Sequence, residues 1–548
     1  MPKSITTNMT KNKKTKPFAL TFKFSDFWAA DYRIIAALLI ALPLLVYAQV
    51  YNFDFLWDDA GHLAHPFLSD PSVQSFTQLS SEPFFGMYIP VTYFFWGSLK
   101  AFAEFLSLPV NSIFHLLNVL IHIANGLLVF TILSQFVKNK WAVLVGALFF
   151  LLHPIQVETV AWVSEFRGLL AFFFALLSLY FYMRDLCINK TNLPYASLFL
   201  LFLALMSKPS AAILPILIVT IHYFHYSFNL KTNLIKTLPF IAVTLIMTIV
   251  AFNEQSYSAL HLDYWYRPFI WLDSMVFYLY QIIFPLQLSA SYALSTELLI
   301  TQWWLYPLAI LPLILLILLW FKRQQFTSLA FASALFIIGF LPTSGLVSFT
   351  FQTYSVVADR YIYFAFIGVA LLVSTIFDYG DGKFWKGLMI GILLIFTTLT
   401  AFQQIPLWKN TAKLWAHSLQ IEIIPSYATY NHGKTLAHAG EITQAVKMFN
   451  LVLDHHPKDR PYQAKHIDLF YNRGVAMLKL NKPQKALLDF ERVISMSAKN
   501  SSAYNLKIYT LIVLKQCKEA HSTVYFARKN RIQLPTETLK NLQKTCPS

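Results

Sequence analysis

The sequence has few charged residues and few cysteines. Asp, Glu, Lys and Arg make up 13% of its 548 residues, whereas ordinary soluble proteins have about 25%. Hydrophobic residues make up 56%. Such a chain cannot cover its whole surface with polar groups, which excludes a wholly soluble or a disordered protein. Three cysteines (Cys187, Cys517 and Cys546) are too few for a disulfide framework or a thiolate metal cage.

Long uninterrupted apolar runs predict an all-α, polytopic membrane helix bundle with about eleven spans. The runs lie near residues 34–50, 112–136, 141–152, 168–183, 193–207, 210–226, 237–252, 304–321, 326–345, 361–377 and 387–403. Two further stretches contain charged or polar residues. We predict an interfacial helix near 88–106 and a partly inserted segment near 269–288.

The basic residues of the loops indicate the orientation of this bundle. Residues 1–33 carry seven basic residues, and the loops predicted on the same side carry ten more. The opposite side of the membrane part keeps five. Because cytoplasmic loops are enriched in Lys and Arg, residues 1–33 are predicted to be a basic cytoplasmic N-terminus. Residues 34–403 form the membrane domain.

Composition changes after residue 403. The rest of the chain contains 21 Lys and Arg residues against 9 Asp and Glu residues, and no apolar run long enough to span a membrane. Gly433, Ala445 and Phe449 follow one another at spacings of 12 and 4, and Gly474, Ala486 and Phe490 repeat those spacings. This pattern is typical of tetratricopeptide repeats, which are 34-residue helical hairpins. Residues 404–548 are therefore predicted to be a separate repeat domain, outside the cytoplasm if the number of spans is odd.

Adjacent carboxylates follow the first predicted span. Asp58 and Asp59 lie in an aromatic, apolar stretch at the membrane surface. Ionisable residues at membrane depth usually mark function, and a partly desolvated carboxylate can act as a general base or bind a divalent cation. The alternative is that the two residues cap the helix that follows.

A second polar stretch lies between two spans, at residues 153–167. Glu158 and Glu165 are seven residues apart, which places both acids on one face of a helix. His153 precedes Pro154 and could be a helix-end residue without a further role.

Isolated basic residues lie at the ends of outer spans, where positive charge is usually avoided. Lys208, Arg267 and Arg360 are such residues, and they would suit a phosphate at headgroup level. Each of them alone could instead extend toward anionic lipid.

Together these features resemble the C-type integral-membrane glycosyltransferases (GT-C), and more closely the transmembrane-and-tetratricopeptide-repeat O-mannosyltransferase family. The matching pieces are WDD at 57–59, FHLLNVLIH at 114–122, HPIQVETVAWVSEFR at 153–167, SK at 207–208, ADRYIY at 358–363 and WKN at 408–410, followed by the repeats. The likeness extends over residues 34–525.

The resemblance implies an enzyme that transfers a sugar from a polyprenyl-phosphate carrier to a protein or glycan acceptor on the extracytoplasmic face. It implies membrane lipid and the acceptor as partners, the latter through the repeat domain, with no nucleic acid. A divalent cation is a further expectation. The expected location is a bacterial inner membrane, with the site and the repeats on the periplasmic side. The residues that would carry the reaction are Asp58, Asp59 and Glu158 as catalytic groups, Arg167, Lys208, Arg267 and Arg360 as ligands of the donor phosphate, and His153, Asp359 and Tyr363 in support.

Two other functions stay open. The first is an oligosaccharide transferase or polymerase that moves a preassembled glycan, as in pilin O-glycosylation. The second is a non-catalytic scaffold or lipid transporter. A transporter should show two related halves with broken helices, and a scaffold would not need the Asp58-Asp59 pair.

Overall fold

The computed structural model describes residues 23–187, 194–225, 230–254, 264–347, 349–379, 383–457, 461–462 and 464–547. Residues 1–22, most of the predicted basic N-terminus, lie outside the described residues. All regular elements in these ranges are helices, so the predicted all-α fold class is confirmed for this part of the chain.

The membrane part contains eighteen α-helices within the described ranges. They are α1 (Ala30–Tyr47), α2 (Asp59–Leu63), α3 (Pro66–Ser69), α4 (Val73–Ser81), α5 (Pro90–Phe105), α6 (Val110–Leu133), α7 (Lys140–Leu152), α8 (Val157–Ala161), α9 (Phe166–Cys187), α10 (Tyr195–Ser207), α11 (Leu214–His225), α12 (Leu230–Glu254), α13 (Arg267–Ile283), α14 (Thr296–Leu299), α15 (Leu305–Lys322), α16 (Thr327–Phe340), α17 (Phe366–Asp378) and α18 (Lys383–Gln404). Short 3₁₀ helices connect several of them, among them Val163–Glu165 and Asp359–Ile362.

Six helices of the described residues are long and apolar enough to cross a membrane: Ala30–Asn52, Val110–Leu133, Val163–Leu186, Leu234–Ala251, Leu305–Lys322 and Gly387–Trp408. A seventh crossing forms if α7 and the segment Pro154–Ala161, bent by 47°, count as one span. Four apolar helices are shorter: Tyr195–Ser207, Pro209–His225, Thr327–Thr343 and Phe366–Asp378. Each of the eleven predicted runs coincides with one of these helices, so the chain is a helical membrane protein. That all eleven cross stays a prediction.

Helices also form at the two ambiguous stretches. α5 lies within the predicted interfacial segment 88–106, and α13 overlaps the segment 269–288. Neither helix is long and apolar enough to qualify as a span. Their position at the membrane surface remains a prediction.

Small residues let the central helices cross closely. A Cβ atom on Gly146 of α7 would lie 2.1 Å from the Ser374 hydroxyl and 2.3 Å from the Ala370 carbonyl oxygen of α17. On the other side of α17, a Cβ on Gly368 would lie 2.4 Å from the carbonyl oxygen of Ala332 in α16. Close backbone approach of this kind drives helix association in lipid, where burial of apolar surface gives no advantage.

Several helices begin or end at the same end of the bundle. The loop after α1 contacts the start of α6, where the Asn111 amide donates to the Phe53 carbonyl at 2.8 Å. The end of α10 contacts the start of α5, where the Thr92 hydroxyl donates to the Ser207 carbonyl at 3.1 Å. α8, the start of α9 and the segment before α17 meet at this end as well. Irregular backbone and polar side chains are thereby concentrated at one end of an apolar bundle.

Eight further α-helices follow in the tail: α19 (Thr411–Ile421), α20 (Tyr427–His438), α21 (Ile442–Asp454), α22 (Ile467–Lys479), α23 (Pro483–Met496), α24 (Ser501–Val513), α25 (Cys517–Lys529) and α26 (Thr536–Thr545). The pairs α20–α21, α22–α23 and α24–α25 pack as hairpins. A Cβ on Gly433 would lie 2.7 Å from the Phe449 ring, and one on Gly474 would lie 2.8 Å from the Phe490 ring. The predicted glycine–phenylalanine spacing therefore corresponds to a close helix contact inside each hairpin, although membership of the repeat family stays a prediction.

Contacts cross the predicted domain boundary at residue 404. Trp408 and Trp415 are buried in the same apolar cluster as the membrane helices. Farther along, the Lys465 ammonium forms an ion pair with Glu297 at 2.8 Å. A disulfide joins Cys517 to Cys546 and so ties α25 to the end of α26; the cysteine count gave no reason to expect it.

Candidate functional site

The two adjacent aspartates have different surroundings. Asp59 is fully buried, and its carboxylate accepts hydrogen bonds from the backbone N–H groups of Leu56 and Ser164, each at 2.9 Å, and from the Ser164 hydroxyl. Asp58 is half-buried, and its carboxylate makes no hydrogen bond or ion pair with any residue in the described ranges. Asp58 stands at the N-cap position of α2 without forming a side-chain capping bond. The capping interpretation is therefore wrong for Asp58.

Burial perturbs both carboxyl groups. It raises the pKa of Asp58 above its ordinary value, while the positive charges of Arg167, Arg360 and Lys434 act in the opposite direction. Burial raises the pKa of Asp59 to about 7, although the hydrogen bonds from Leu56 and Ser164 lower it. A carboxylate whose pKa is raised toward neutrality is a better proton acceptor than an exposed one.

The Glu165 carboxylate contacts three basic side chains. The Lys208 ammonium lies 2.7 Å from Oε2, and Arg167 Nη2 and Arg360 Nε lie 3.3 and 4.0 Å from Oε1. Glu165 is the last residue of the short helix Val163–Glu165, which lies directly before α9. Its carboxylate lies next to Gly168. A Cβ on Gly168 would lie 2.7 Å from Oε2, so glycine leaves the space in which the ion pair with Lys208 forms.

Glu158 is bound by Arg360. One carboxylate oxygen pairs with the guanidinium, and the other accepts the backbone N–H of Arg360 at 3.0 Å. The neighbouring Asp359 accepts a hydrogen bond of 2.7 Å from the Tyr292 hydroxyl. Burial and the negative charge of Glu158 raise the pKa of Asp359 well above its ordinary value.

Aromatic rings enclose the Arg360 guanidinium. Its central carbon lies 5.3 Å from the Trp57 ring centre, 5.5 Å from Trp162 and 4.5 Å from Phe351. Trp57 and Trp162 stack on each other at 4.4 Å with an interplanar angle of 7°. Cation–π contacts and ion pairs together fix the position of the charge.

His62 and Ser164 were missed by the sequence analysis, although both lie in the stretches that it selected. Arg167 Nη1 donates to His62 Nε2 at 3.0 Å, so the proton of a neutral His62 lies on Nδ1, 2.8 Å from the Tyr93 hydroxyl. Burial and then Arg167 lower the pKa of His62 far below its ordinary value, which keeps the ring neutral. His62 therefore orients Arg167 without adding charge.

Three predicted residues lie apart from this cluster. Arg267 donates to the Leu346 carbonyl at 2.9 Å and makes no ion pair with a carboxylate of the described residues. His153 accepts from the Ile155 N–H at 3.3 Å and contacts the Ile282 carbonyl at 3.0 Å. The Tyr363 hydroxyl contacts His122 and Asn125 within the helix bundle. The supporting role predicted for His153 and Tyr363 stays a prediction.

The charged residues around Glu165 could bind an anionic group next to a proton acceptor, Asp58. Arg167, Lys208 and Arg360 face Glu158 and Glu165, so these five groups carry a net charge of +1, which the Asp58 carboxylate balances when it is deprotonated. The described residues include no group of three His, Cys, Asp or Glu side chains that could hold a metal ion. The expected divalent cation stays a prediction, and the chemistry below uses none.

The chain is similar to one curated protein found by comparison. The chain is 24% identical over 437 residues to a protein O-mannosyl-transferase of Caenorhabditis elegans, with 75% of this chain aligned. The match covers 61% of that relative's length. No family model matches the chain, and no solved structure matches it.

Proposed function

We propose that this protein is an integral-membrane glycosyltransferase that moves a sugar from a polyprenyl-phosphate carrier to a hydroxyl group of a protein acceptor. The observation that carries the proposal is the arrangement at one end of the bundle. A half-buried carboxylate without a partner in the described structure, Asp58, lies in the field of Arg167 and Arg360. The relative named above acts on proteins and transfers mannose by its name, which makes mannose the first sugar to test.

In the proposed reaction Asp58 accepts the proton of the acceptor hydroxyl as its oxygen attacks the anomeric carbon. The bond between that carbon and the carrier phosphate breaks, and both electrons leave with the phosphate. The negative charge that develops on the phosphate is stabilised by Arg167, Lys208 and Arg360. A single displacement of this kind inverts the anomeric configuration.

Several features support a site on the extracytoplasmic face. The opposite ends of α9 and α15 carry Arg184 and Lys322, as expected for cytoplasmic ends. The Cys517–Cys546 disulfide of the tail suits an oxidising compartment.

The proposal is tested with purified full-length protein, a synthetic polyprenyl-phosphate mannose and an acceptor peptide rich in Ser and Thr. Lys208→Gln should raise the KM for the donor, because it removes a cation of the cluster. Arg267→Gln is the matched control, since it removes an outer cation that lies elsewhere, and it should leave that KM unchanged. An equal effect of both variants, or no sugar transfer by the unmodified protein from any polyprenyl-phosphate sugar, would contradict the proposal.

A further inference from the structure

The residue before Asp58 has an unusual backbone. Trp57 has a φ of 54°, in the left-handed region that bulky side chains rarely adopt. Such a conformation is strained and persists only where the surroundings hold it in place. Because Trp57 and Asp58 share a peptide bond, whatever holds Trp57 also sets the position of Asp58.

Contacts from both parts of the chain hold the Trp57 indole. Trp162 of the membrane part stacks on one face, and Trp415 of α19 contacts the ring edge at a centre distance of 5.1 Å. The indole N–H donates to the Tyr427 hydroxyl at 3.0 Å. Tyr427 is the first residue of α20 and therefore belongs to the first hairpin of the tail.

Hydrogen bonds within the tail define the position of Tyr427. The Glu422 carboxylate accepts the backbone N–H groups of Ser426, Ala428 and Thr429 at 3.0, 2.7 and 3.0 Å, which fixes the start of α20. The Tyr427 ring also packs on Tyr354 at 4.4 Å. The hydroxyl thus reaches Trp57 from a helix start whose backbone N–H groups are bound by the Glu422 carboxylate.

We propose that Tyr427 is a positioning residue: through its hydrogen bond to Trp57, the first hairpin of the tail holds the Asp58 carboxylate in place for proton transfer. This inference rests on the proposed function. It makes the tail a part of the catalytic unit as well as a surface that can contact an acceptor.

The test is a double-mutant cycle in the full-length protein. Tyr427→Phe keeps the ring and removes the hydroxyl, and Trp57→Phe removes the indole N–H. One neutral hydrogen bond corresponds to a decrease in kcat of about threefold to tenfold, which we expect for Tyr427→Phe with the donor KM unchanged. In the Trp57→Phe background, Tyr427→Phe should have no further effect.

Tyr354→Phe is the matched control. It removes a hydroxyl from the ring that packs on Tyr427 and makes no hydrogen bond to Trp57, so its kcat should equal that of the unmodified protein. Three outcomes would overturn the inference: an unchanged kcat in Tyr427→Phe, additive effects in the double variant, or a folded fraction of Tyr427→Phe that falls along with kcat. If Asp58→Asn also transfers sugar at the full rate, Asp58 is not the proton acceptor, whereas an absence of sugar transfer by the unmodified protein would contradict the proposed function itself.

Discussion

Replacing each of the two aspartates by asparagine should give two different defects. Asp58→Asn keeps the size of the side chain but removes its ability to accept a proton. General-base assistance is worth about 10²–10⁴-fold, so kcat for sugar transfer should fall by that factor. Because the Asp58 carboxylate has no hydrogen-bond partner in the described structure, stability should stay unchanged, and donor affinity should not fall, since the substitution removes a negative charge beside Arg167 and Arg360.

Asp59→Asn should instead destabilise the protein. The Asp59 carboxylate accepts hydrogen bonds at both oxygens, from Leu56 on one side and Ser164 on the other. An asparagine offers one oxygen, so its amide N–H₂ must face one of those buried donors. An unpaired buried donor costs about 1–3 kcal/mol, which should appear as a lower unfolding temperature, with a smaller loss of transfer than in Asp58→Asn.

The assay measures transfer, donor binding and thermal unfolding on the same purified preparations. Asp54→Asn is the control, because it removes the same charge from an exposed position in the same loop. Full turnover by Asp58→Asn at normal donor affinity would remove Asp58 from the mechanism. A large loss of stability in Asp58→Asn would instead mean that its carboxylate has a structural partner.

Three further predictions use the same assay. Sugar transfer should be lost as the pH falls through the pKa of Asp58, because the base must be deprotonated to accept a proton. Since burial raises this pKa, the loss should occur at a higher pH than for an exposed aspartate. A transfer rate that stays constant down to the ordinary aspartate pKa would contradict this prediction. Gly168→Ala should weaken donor binding about tenfold, because its Cβ displaces the Glu165 carboxylate from Lys208. Gly391→Ala in α18, where a Cβ meets no atom within 4 Å, should leave donor affinity unchanged. Deleting residues 404–548 should abolish transfer and donor hydrolysis together, because the deletion removes the buried indoles of Trp408 and Trp415. A chain that ends after residue 440 should keep donor hydrolysis. Donor hydrolysis by the chain that lacks residues 404–548 would place the tail outside the catalytic unit.

The helices of the membrane part could be predicted because lipid imposes a simple rule. Every backbone polar group must be satisfied within the segment, so an apolar run of sufficient length becomes a helix. The eleven runs all correspond to helices for this reason. The 47° bend after α7 was not predicted as such, although His153 and Pro154 mark its place: proline cannot continue the hydrogen-bond ladder, and His153 accepts the Ile155 N–H at the break.

The candidate site could be predicted only as a set of residues. Asp58, Glu158 and Glu165 were selected because ionisable groups are rare in apolar surroundings. Which aspartate is free depends on Ser164, which lies 105 residues away from Asp59 in sequence. The contacts of the basic residues could not be predicted either. All four lie at helix ends, yet three of them contact Glu165, whereas Arg267 donates to the Leu346 carbonyl. Local sequence patterns contain no information about such distances.

The tail shows why a change in composition and a boundary of function need not coincide. Hydropathy decreases after residue 403 because the chain leaves the lipid. This decrease indicates only which solvent surrounds the chain. Packing continues past that point, since Trp408, Trp415 and Ala428 belong to the apolar cluster of the membrane helices. The hydrogen bond from Trp57 to Tyr427 then joins residues 370 positions apart in the sequence. The proposed catalytic unit therefore ends within the first hairpin of the tail, 24 or more residues after the point where hydropathy falls.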